Sequence, residues 1–176
     1  SLRKDFLRYE AVNVKSPYTS VELAYSNKCN FACVMCDGKT SSRIYKDNLN
    51  YNKPLPENLE SKFYEDQQSP DITKFNNILS HIKEVEHLKL TGGEPQLIPE
   101  YLKLLKNLTS NTTYILILTN MSIFNVKFFN EVSKIKSISI SISIDGVGIY
   151  NDSLRIGSIW KKIEANIDRL ISFFKG

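Results

Sequence analysis

The chain has 176 residues, of which 41% are hydrophobic and 24% are charged. This composition is that of an ordinary globular domain and excludes the disordered and collagen-like classes. The 23 Lys and Arg residues exceed the 19 Asp and Glu residues by only four, so charge indicates neither a nucleic acid nor an anionic membrane as a partner. No stretch approaches the roughly 20 apolar residues of a membrane-spanning helix, and residues 1–10 are charged, unlike a signal peptide. We therefore expect a soluble, cytoplasmic protein.

Hydrophobic periodicity predicts strands that alternate with helices along the chain. The predicted helices cover residues 2–10, 56–67, 72–85, 99–108, 125–134 and 158–174, and the predicted strands cover residues 20–26, 87–91, 114–119 and 137–144. Residues 37–54 are polar and are predicted to form a long loop. The alternation is typical of βαβ units and a parallel sheet in an α/β protein. We divide the chain into an N-terminal helix and linker at residues 1–19 and a core domain at residues 20–176.

The last predicted strand alternates isoleucine with serine. Its period of two places Ile138, Ile140, Ile142 and Ile144 on one face and Ser139, Ser141 and Ser143 on the other. The first two strands alternate in the same way, which places Glu22 and Lys89 on their polar faces. We therefore predict a sheet that curves around a polar interior, with the helices outside and an ion pair between Glu22 and Lys89 inside. If that pair is buried, losing one partner would cost about 3–5 kcal/mol; if it is open to solvent, about 0–1 kcal/mol.

The three cysteines, Cys29, Cys33 and Cys36, lie within eight residues of one another. Their odd number and the length of the chain argue against a disulfide framework. The C-x3-C-x2-C spacing suits three corners of a cubane iron–sulfur cluster whose fourth iron stays open to a non-protein ligand. A zinc site would need a fourth ligand, from His81, His87 or an acid. His87 begins its strand, about 15 Å from the cysteine loop, so zinc remains a minor alternative, as do three incidental buried cysteines.

A second motif, Thr-Gly-Gly-Glu-Pro at residues 91–95, follows the strand at 87–91 and precedes a helix. Glycines at such a corner let the backbone approach a ligand closely, and Glu94 could present its carboxylate to a cationic group. Taken alone, the motif also fits a tight turn with an acid near a helix start. Because the loops that follow parallel strands share one edge, we expect the cysteine loop, Gly92, Asn120 and Asp145 to converge there.

Together these motifs resemble the radical SAM enzymes. The resemblance rests on Cys-Asn-Phe-Ala-Cys-Val-Met-Cys at 29–36, Gly-Gly-Glu-Pro at 92–95, Thr-Asn at 119–120 and Ser-Ile-Asp-Gly at 143–146, in that order. It covers roughly residues 20–174 and implies a partial (β/α) barrel of parallel strands, with about four of the family's six βα units. It also implies a [4Fe–4S] cluster held by the three cysteines, with the open iron chelated by S-adenosylmethionine (SAM). Reductive cleavage of SAM would then yield a 5′-deoxyadenosyl radical that abstracts hydrogen from a substrate.

The resemblance also assigns SAM contacts to individual positions. Gly92, Gly93 and Glu94 would hold the methionine amino group, and Met35 would meet the adenine through its backbone. Ser158 resembles a serine that meets the SAM carboxylate in peptide-modifying members. Its alternative role as a helix N-cap agrees physically with that one, because a helix N-terminus favours an anion.

The resemblance places Asn120, Ser143 and Asp145 near the ribose or the substrate. Two further details, the serines at 41–42 and Arg155 after Ser-Ile-Asp-Gly, are similar to the twitch and SPASM group, whose members often modify peptides or proteins. We therefore expect a peptide or protein substrate, with a small molecule or nucleotide as the alternative. A reductase such as flavodoxin or ferredoxin is the expected electron donor. The chain has no further cysteine for an auxiliary cluster.

Four βα units leave one edge of the predicted sheet open. We therefore expect a fragment truncated at its C-terminal end, an unusually short member, or a homo-oligomer that closes the open edge, since an exposed edge strand is a liability. A second class of function also stays open, in which the chain is a non-catalytic domain that binds an iron–sulfur cluster or SAM.

Overall fold

The computed structural model describes residues 20–51, 72–82, 85–109 and 112–175. The predicted helices at 2–10 and 56–67, and the proposed N-terminal unit at 1–19, lie outside the described residues. Within the described ranges, every helix is too short or too polar to cross a membrane.

Strands and helices alternate through most of this part of the chain. The strands are β1 (Ser20–Leu23), β2 (Ala32–Cys33), β3 (His87–Leu90), β4 (Tyr114–Thr119), β5 (Ser137–Ile142) and β6 (Arg155–Ile156). The helices are α1 (Ser42–Asn50), α2 (Ile72–His81), α3 (Pro99–Lys106), α4 (Val126–Val132), α5 (Ile149–Leu154) and α6 (Trp160–Lys175), and a 3-10 turn at Pro95–Leu97 precedes α3.

Four strands form a parallel sheet in the order β1-β3-β4-β5. Each new strand is added beside the previous one on the same side, as in a (β/α) barrel and unlike the reversed order of a doubly wound sheet. The sheet is not closed within the described residues. The predicted α/β class and partial barrel of parallel strands are therefore confirmed. The short strands β2 and β6 pair antiparallel as a separate ribbon.

One face of the sheet packs against the helices through the predicted apolar residues of β3 and β5 and through alternate residues of β4, whereas Ile144, which was predicted on the same face, lies beyond β5 and is 39% exposed. Leu88, Leu90, Ile115 and Ile117 are at most 1% exposed, and the alternate isoleucines of β5 pack against the same cluster. Helical residues complete this core: Phe75, Tyr101, Leu104, Phe128, Phe129 and Ile163. Burial of each large apolar side chain stabilises the fold by about 1.5–3 kcal/mol, so this layer fixes the strands whose ends carry the motifs.

The opposite face carries the predicted ion pair. Glu22 and Lys89 are register partners on β1 and β3, and Lys89 Nζ lies 2.9 Å from Glu22 Oε1. The side chain of Lys89 is 36% exposed and that of Glu22 is 56% exposed. The ion pair is therefore open to solvent and not buried. On β4 this face is apolar, with half-buried Leu116 and Leu118 beside the serines of β5, so the polar row is interrupted there.

The predicted loop at 37–54 is wrong, because residues 42–50 form helix α1. Ser41 is the N-cap and its side chain accepts a hydrogen bond from the backbone of Ile44. Tyr45 is 4% exposed and gives the helix a buried side. Polar composition concealed an amphipathic helix that is anchored by its cap and one aromatic residue.

The final helix buries only some of the apolar residues that recur along it at helical spacing. Ile163 and Leu170 are buried, but Phe174 and Ile159, which directly precedes α6, are 40% and 49% exposed. Asn166 is buried and donates a hydrogen bond from Nδ2 to the carbonyl of Met121 at 2.9 Å. The buried side of α6 therefore includes a polar residue that is satisfied by the turn after β4.

Candidate active site

A cavity of about 160 Å³ lies at the carboxyl end of the parallel strands. It brings together seven of the residues that the sequence singles out: Cys29, Cys33, Cys36, Gly92, Gly93, Asn120 and Ser143. Thr40, Thr119 and Arg155 also line it. Pockets for drug-sized ligands typically measure about 300–1,000 Å³, so the described walls enclose only part of a site for a ligand of SAM's size.

The start of α1 holds the cysteine loop in place. Ser42 Oγ accepts a hydrogen bond from the backbone N–H of Cys29 at 3.1 Å and donates one to the carbonyl of Cys29 at 3.2 Å. The backbone N–H of Ser42 donates to the carbonyl of Asn27 at 2.8 Å, and Ser41 Oγ donates to the carbonyl of Phe31 at 2.5 Å. The helix that the sequence failed to predict is thus what fixes the loop.

All three thiols are free. Burial raises the pKa of Cys29, and it raises the pKa of Cys33 to about 11, with a further contribution from neighbouring Cys36 and an opposing one from Arg155. At neutral pH the metal-free thiols of Cys29 and Cys33 are therefore protonated, and metal binding must release those protons.

The described cavity lining has no histidine that could complete a four-ligand zinc site. Within the described ranges no group of three or more His, Cys, Asp or Glu side chains is arranged closely enough to hold a metal ion, but the three thiols share one cavity wall. His81 and His87 are exposed, and His87 begins β3, at the end of the strand away from the cavity. Three soft thiolates with an open side fit a cubane cluster with one unligated iron.

The Gly-Gly-Glu-Pro turn lies directly against the backbone of the cysteine loop. Gly93 N–H donates to the carbonyl of Ser26 at 2.9 Å, and Glu94 N–H donates to the carbonyl of Lys28 at 2.8 Å. A Cβ added at Gly93 would lie 2.2 Å from the carbonyl oxygen of Lys28. Gly92 has a φ of +99°, which L side chains rarely adopt. Both glycines are therefore required by the contact between the two motifs.

Glu94 is completely buried behind this turn. Its Oε2 accepts a hydrogen bond from Asn120 N–H at 2.7 Å, and its Oε1 accepts from the Thr119 hydroxyl at 2.8 Å and from Gln96 N–H at 3.2 Å. Burial raises the pKa of this carboxyl, although these hydrogen bonds oppose the rise. Glu94 takes part in none of the ion pairs found among the described residues, so its negative charge lies behind the cavity wall without a countercharge there.

The turn after β4 aims polar groups at the cysteine loop. Asn120 Nδ2 donates to Asn30 Oδ1 at 3.1 Å and lies 3.9 Å from Cys29 Sγ. Met121 has a φ of +52°, a left-handed conformation that costs about 1–2 kcal/mol. Its side chain is fully buried, which offsets that cost and holds Asn120 against the loop.

Arg155 is a charged residue to which the sequence motifs assign no role. Its Nε lies 2.7 Å from Asp145 Oδ2, and its Nη1 lies 3.8 Å from Cys33 Sγ. Asp145 is therefore bound to Arg155 and does not itself line the cavity. Fully buried Asn151 accepts a hydrogen bond from Asp145 N–H at 3.2 Å, a contact for which the sequence gives no local signal.

Met35 and Ser158 lie outside the cavity lining. Met35 is 54% exposed beside the cysteines. Ser158 is buried and accepts a hydrogen bond from Asn151 Nδ2 at 2.9 Å. It also donates to Asp152, whose other carboxylate oxygen accepts from Trp160 N–H at 3.1 Å. The carboxylate of Asp152 therefore caps the start of α6.

Comparison with known proteins gives consistent matches. The family model of the Radical SAM superfamily matches residues 23–175. The chain is 26% identical over 162 residues to the sporulation killing factor maturation protein SkfB of Bacillus subtilis (strain 168), covering 87% of this chain and 35% of that protein. A solved structure described as native anSMEcpe with bound AdoMet matches with a TM-score of 0.50 and 18% identity, covering 86% of this chain and 40% of that one. The chain thus spans 35% and 40% of the lengths of these two proteins.

Proposed function

The chain belongs to the radical SAM superfamily, and on that premise we propose that it binds a [4Fe–4S] cluster and SAM and takes part in hydrogen abstraction from a substrate. When bound, the cluster and SAM supply reductive cleavage of the sulfonium and a 5′-deoxyadenosyl radical. The observation that carries the proposal is that three free thiols line one cavity together with Gly92 and Gly93 of the Gly-Gly-Glu-Pro turn, at the carboxyl edge of the sheet.

Cys29, Cys33 and Cys36 are the proposed cluster ligands. Thiolates are the usual protein ligands of such clusters, and three ligands leave one iron for SAM. The hydrogen bonds from Ser42 fix the backbone on both sides of Cys29. This preorganisation lowers the entropy that the loop loses when it closes around a metal group.

Gly92, Gly93 and Glu94 are the proposed site for the methionine amino group. The two glycines bring backbone to the cavity surface, and Glu94 lies behind it with three hydrogen bonds. An ammonium group would supply the missing countercharge and relieve the cost of a buried carboxylate.

The remaining proposed contacts to SAM or the substrate come from residues on the cavity wall and from residues outside it. Asn120 and Ser143 line it and are proposed to lie near the ribose or the substrate, a region to which Asp145 contributes through Arg155. Exposed Met35 is proposed to meet the adenine through its backbone. Ser158 is proposed to meet the SAM carboxylate near the start of α6. Its hydroxyl already donates a hydrogen bond to Asp152, which also accepts one from Trp160 N–H.

We propose a peptide or protein as the substrate, because SkfB is by name a maturation protein for a killing factor. A small molecule or a nucleotide is the alternative. The expected electron donor is a reductase such as flavodoxin or ferredoxin. We place the protein in the cytoplasm, where thiols stay reduced. A homo-oligomer that covers the open edge of the sheet also remains a proposal.

Anaerobic reconstitution with iron and sulfide, followed by an assay for 5′-deoxyadenosine, tests this function. We expect a brown protein that forms 5′-deoxyadenosine from SAM under dithionite, and a colourless one when Cys29, Cys33 and Cys36 are all replaced by Ala. A cluster without 5′-deoxyadenosine would favour a non-catalytic binding domain. One tightly bound zinc ion and no iron would contradict the proposal.

Glu94→Gln tests the amino-group site separately. The variant should assemble the cluster normally, because Glu94 is not a proposed ligand, while SAM binds more weakly for want of the carboxylate charge. Lys89→Met is the matched control, since it removes an exposed charge from a neighbouring strand position. Equal SAM affinity in the Glu94 variant and the wild type would mean that the motif serves only as a turn.

A further inference from the structure

Arg155 is the one charged residue among those that line the cavity in the described part of the chain. Its side chain is only 12% exposed. A guanidinium with so little access to water acts on its neighbours through a lower effective dielectric than an exposed one does. Its position beside three thiols therefore has electrostatic consequences for whatever those thiols bind.

Two independent features hold Arg155 against Cys33. The two residues are register partners in the antiparallel ribbon of β2 and β6. The ribbon is extended by Val34, whose N–H donates to the carbonyl of Leu154 at 2.9 Å. The carboxylate of Asp145 then binds Nε of Arg155 at 2.7 Å, leaving Nη1 toward Cys33 Sγ at 3.8 Å.

Resting on the proposed function, we propose that Asp145 is a positioning residue that holds the Arg155 guanidinium against the Cys33 sulfur, and that Arg155 thereby raises the reduction potential of the bound cluster. Reduction adds one electron from an external one-electron donor, and with it one unit of negative charge spread over the cluster and its thiolates. Hydrogen bonds to ligand sulfurs and nearby positive charge favour that reduced state.

The direction in which Asp145→Asn shifts the reduction potential shows whether Asp145 positions Arg155 or acts only as a nearby charge. If Asp145 acted only as a nearby negative charge, Asp145→Asn would make reduction easier and raise the potential. If Asp145 holds Arg155 in place, the same variant frees the guanidinium from the sulfur and lowers the potential. The second effect should dominate because Arg155 contacts the sulfur directly, and Coulomb interactions weaken with distance.

An EPR-monitored redox titration of the reconstituted protein tests the inference. We expect Arg155→Met to lower the potential of the cluster, Arg155→Lys to lower it less, and Asp145→Asn to lower it as well. Asp145→Glu, which keeps the negative charge, should have a reduction potential close to that of the wild type. Lys28→Met is the control, because it removes an exposed positive charge next to Cys29 in the sequence and should leave the potential nearly unchanged.

The outcomes separate this inference from the proposed function. A wild-type protein that assembles no cluster overturns both. A cluster that assembles in every variant with an unchanged potential in Arg155→Met, or with a raised potential in Asp145→Asn, overturns the inference alone. Should Arg155→Met fail to fold by circular dichroism, the Lys and Asn variants carry the test.

Discussion

Replacing Gly93 by Ala should be strongly destabilising, because the backbone of the cysteine loop occupies the space that a side chain needs. The added Cβ would lie 2.2 Å from the carbonyl oxygen and 2.5 Å from the carbonyl carbon of Lys28, and 2.7 Å from the carbonyl carbon of Asn27. These atoms are backbone, so they cannot rotate away. Overpacking costs about 1–3 kcal/mol, and the two hydrogen bonds that join the turn to the loop contribute about 0.5–1.5 kcal/mol each. We expect a loss of about 2–6 kcal/mol.

Urea denaturation at neutral pH, followed by circular dichroism, measures the free energy of unfolding for this variant. Gly146→Ala is the control, because its Cβ would meet the Tyr150 Cβ at 3.0 Å and the Asn151 backbone nitrogen at 3.4 Å, and shifts of a few tenths of an ångström relieve such contacts. That variant should differ from the wild type by about 0.5 kcal/mol or less. A Gly93→Ala protein as stable as Gly146→Ala would refute the close packing of the two motifs.

Further predictions follow from single groups. Lys89→Met should change the free energy of unfolding by only about 0–1 kcal/mol, and so should the double variant with Glu22→Met; a loss above ~3 kcal/mol in the urea assay would mean a buried pair. In metal-free protein near pH 8, mass spectrometry should find exposed Cys36 alkylated by iodoacetamide before Cys33, whose pKa of about 11 leaves little thiolate; equal rates would contradict this. Burial raises the folded-state pKa of Glu94 above its ordinary 4.5, so the native state binds the proton more tightly than the unfolded state. Urea titrations should therefore show the free energy of unfolding of the wild type falling relative to that of Glu94→Gln as pH rises above about 4.5. A rise over the same pH range would contradict the raised pKa of Glu94.

Local patterns predicted the elements that carry the motifs. The period of two on β5 and the apolar run on β4 follow from burial of alternate residues, and the structure has strands at both places. The Glu22–Lys89 pair was predictable because neighbouring parallel strands share a register. The exposure of that pair was not predictable, since it depends on what covers the inner face of the sheet.

Contacts between short elements that lie far apart along the chain could not be predicted from the sequence. Strands β2 and β6 contain two residues each, too few for a periodic signal, yet their pairing brings Arg155 to Cys33. Buried Asn151 links the segment after β5 to the start of α6, and nothing in its neighbours marks it as buried. Helix α1 was hidden by its polar composition, because capping and a few buried side chains stabilise it rather than a continuous apolar stripe.

The EPR spectrum of the reconstituted, dithionite-reduced protein, recorded with and without SAM, tests the cluster site most directly. We expect a reduced-cluster signal that is absent when Cys29, Cys33 and Cys36 are replaced by Ala, and that changes when SAM binds the open iron. No cluster signal, or a signal that SAM leaves unchanged, would contradict the claim that this cavity is a cluster and SAM site.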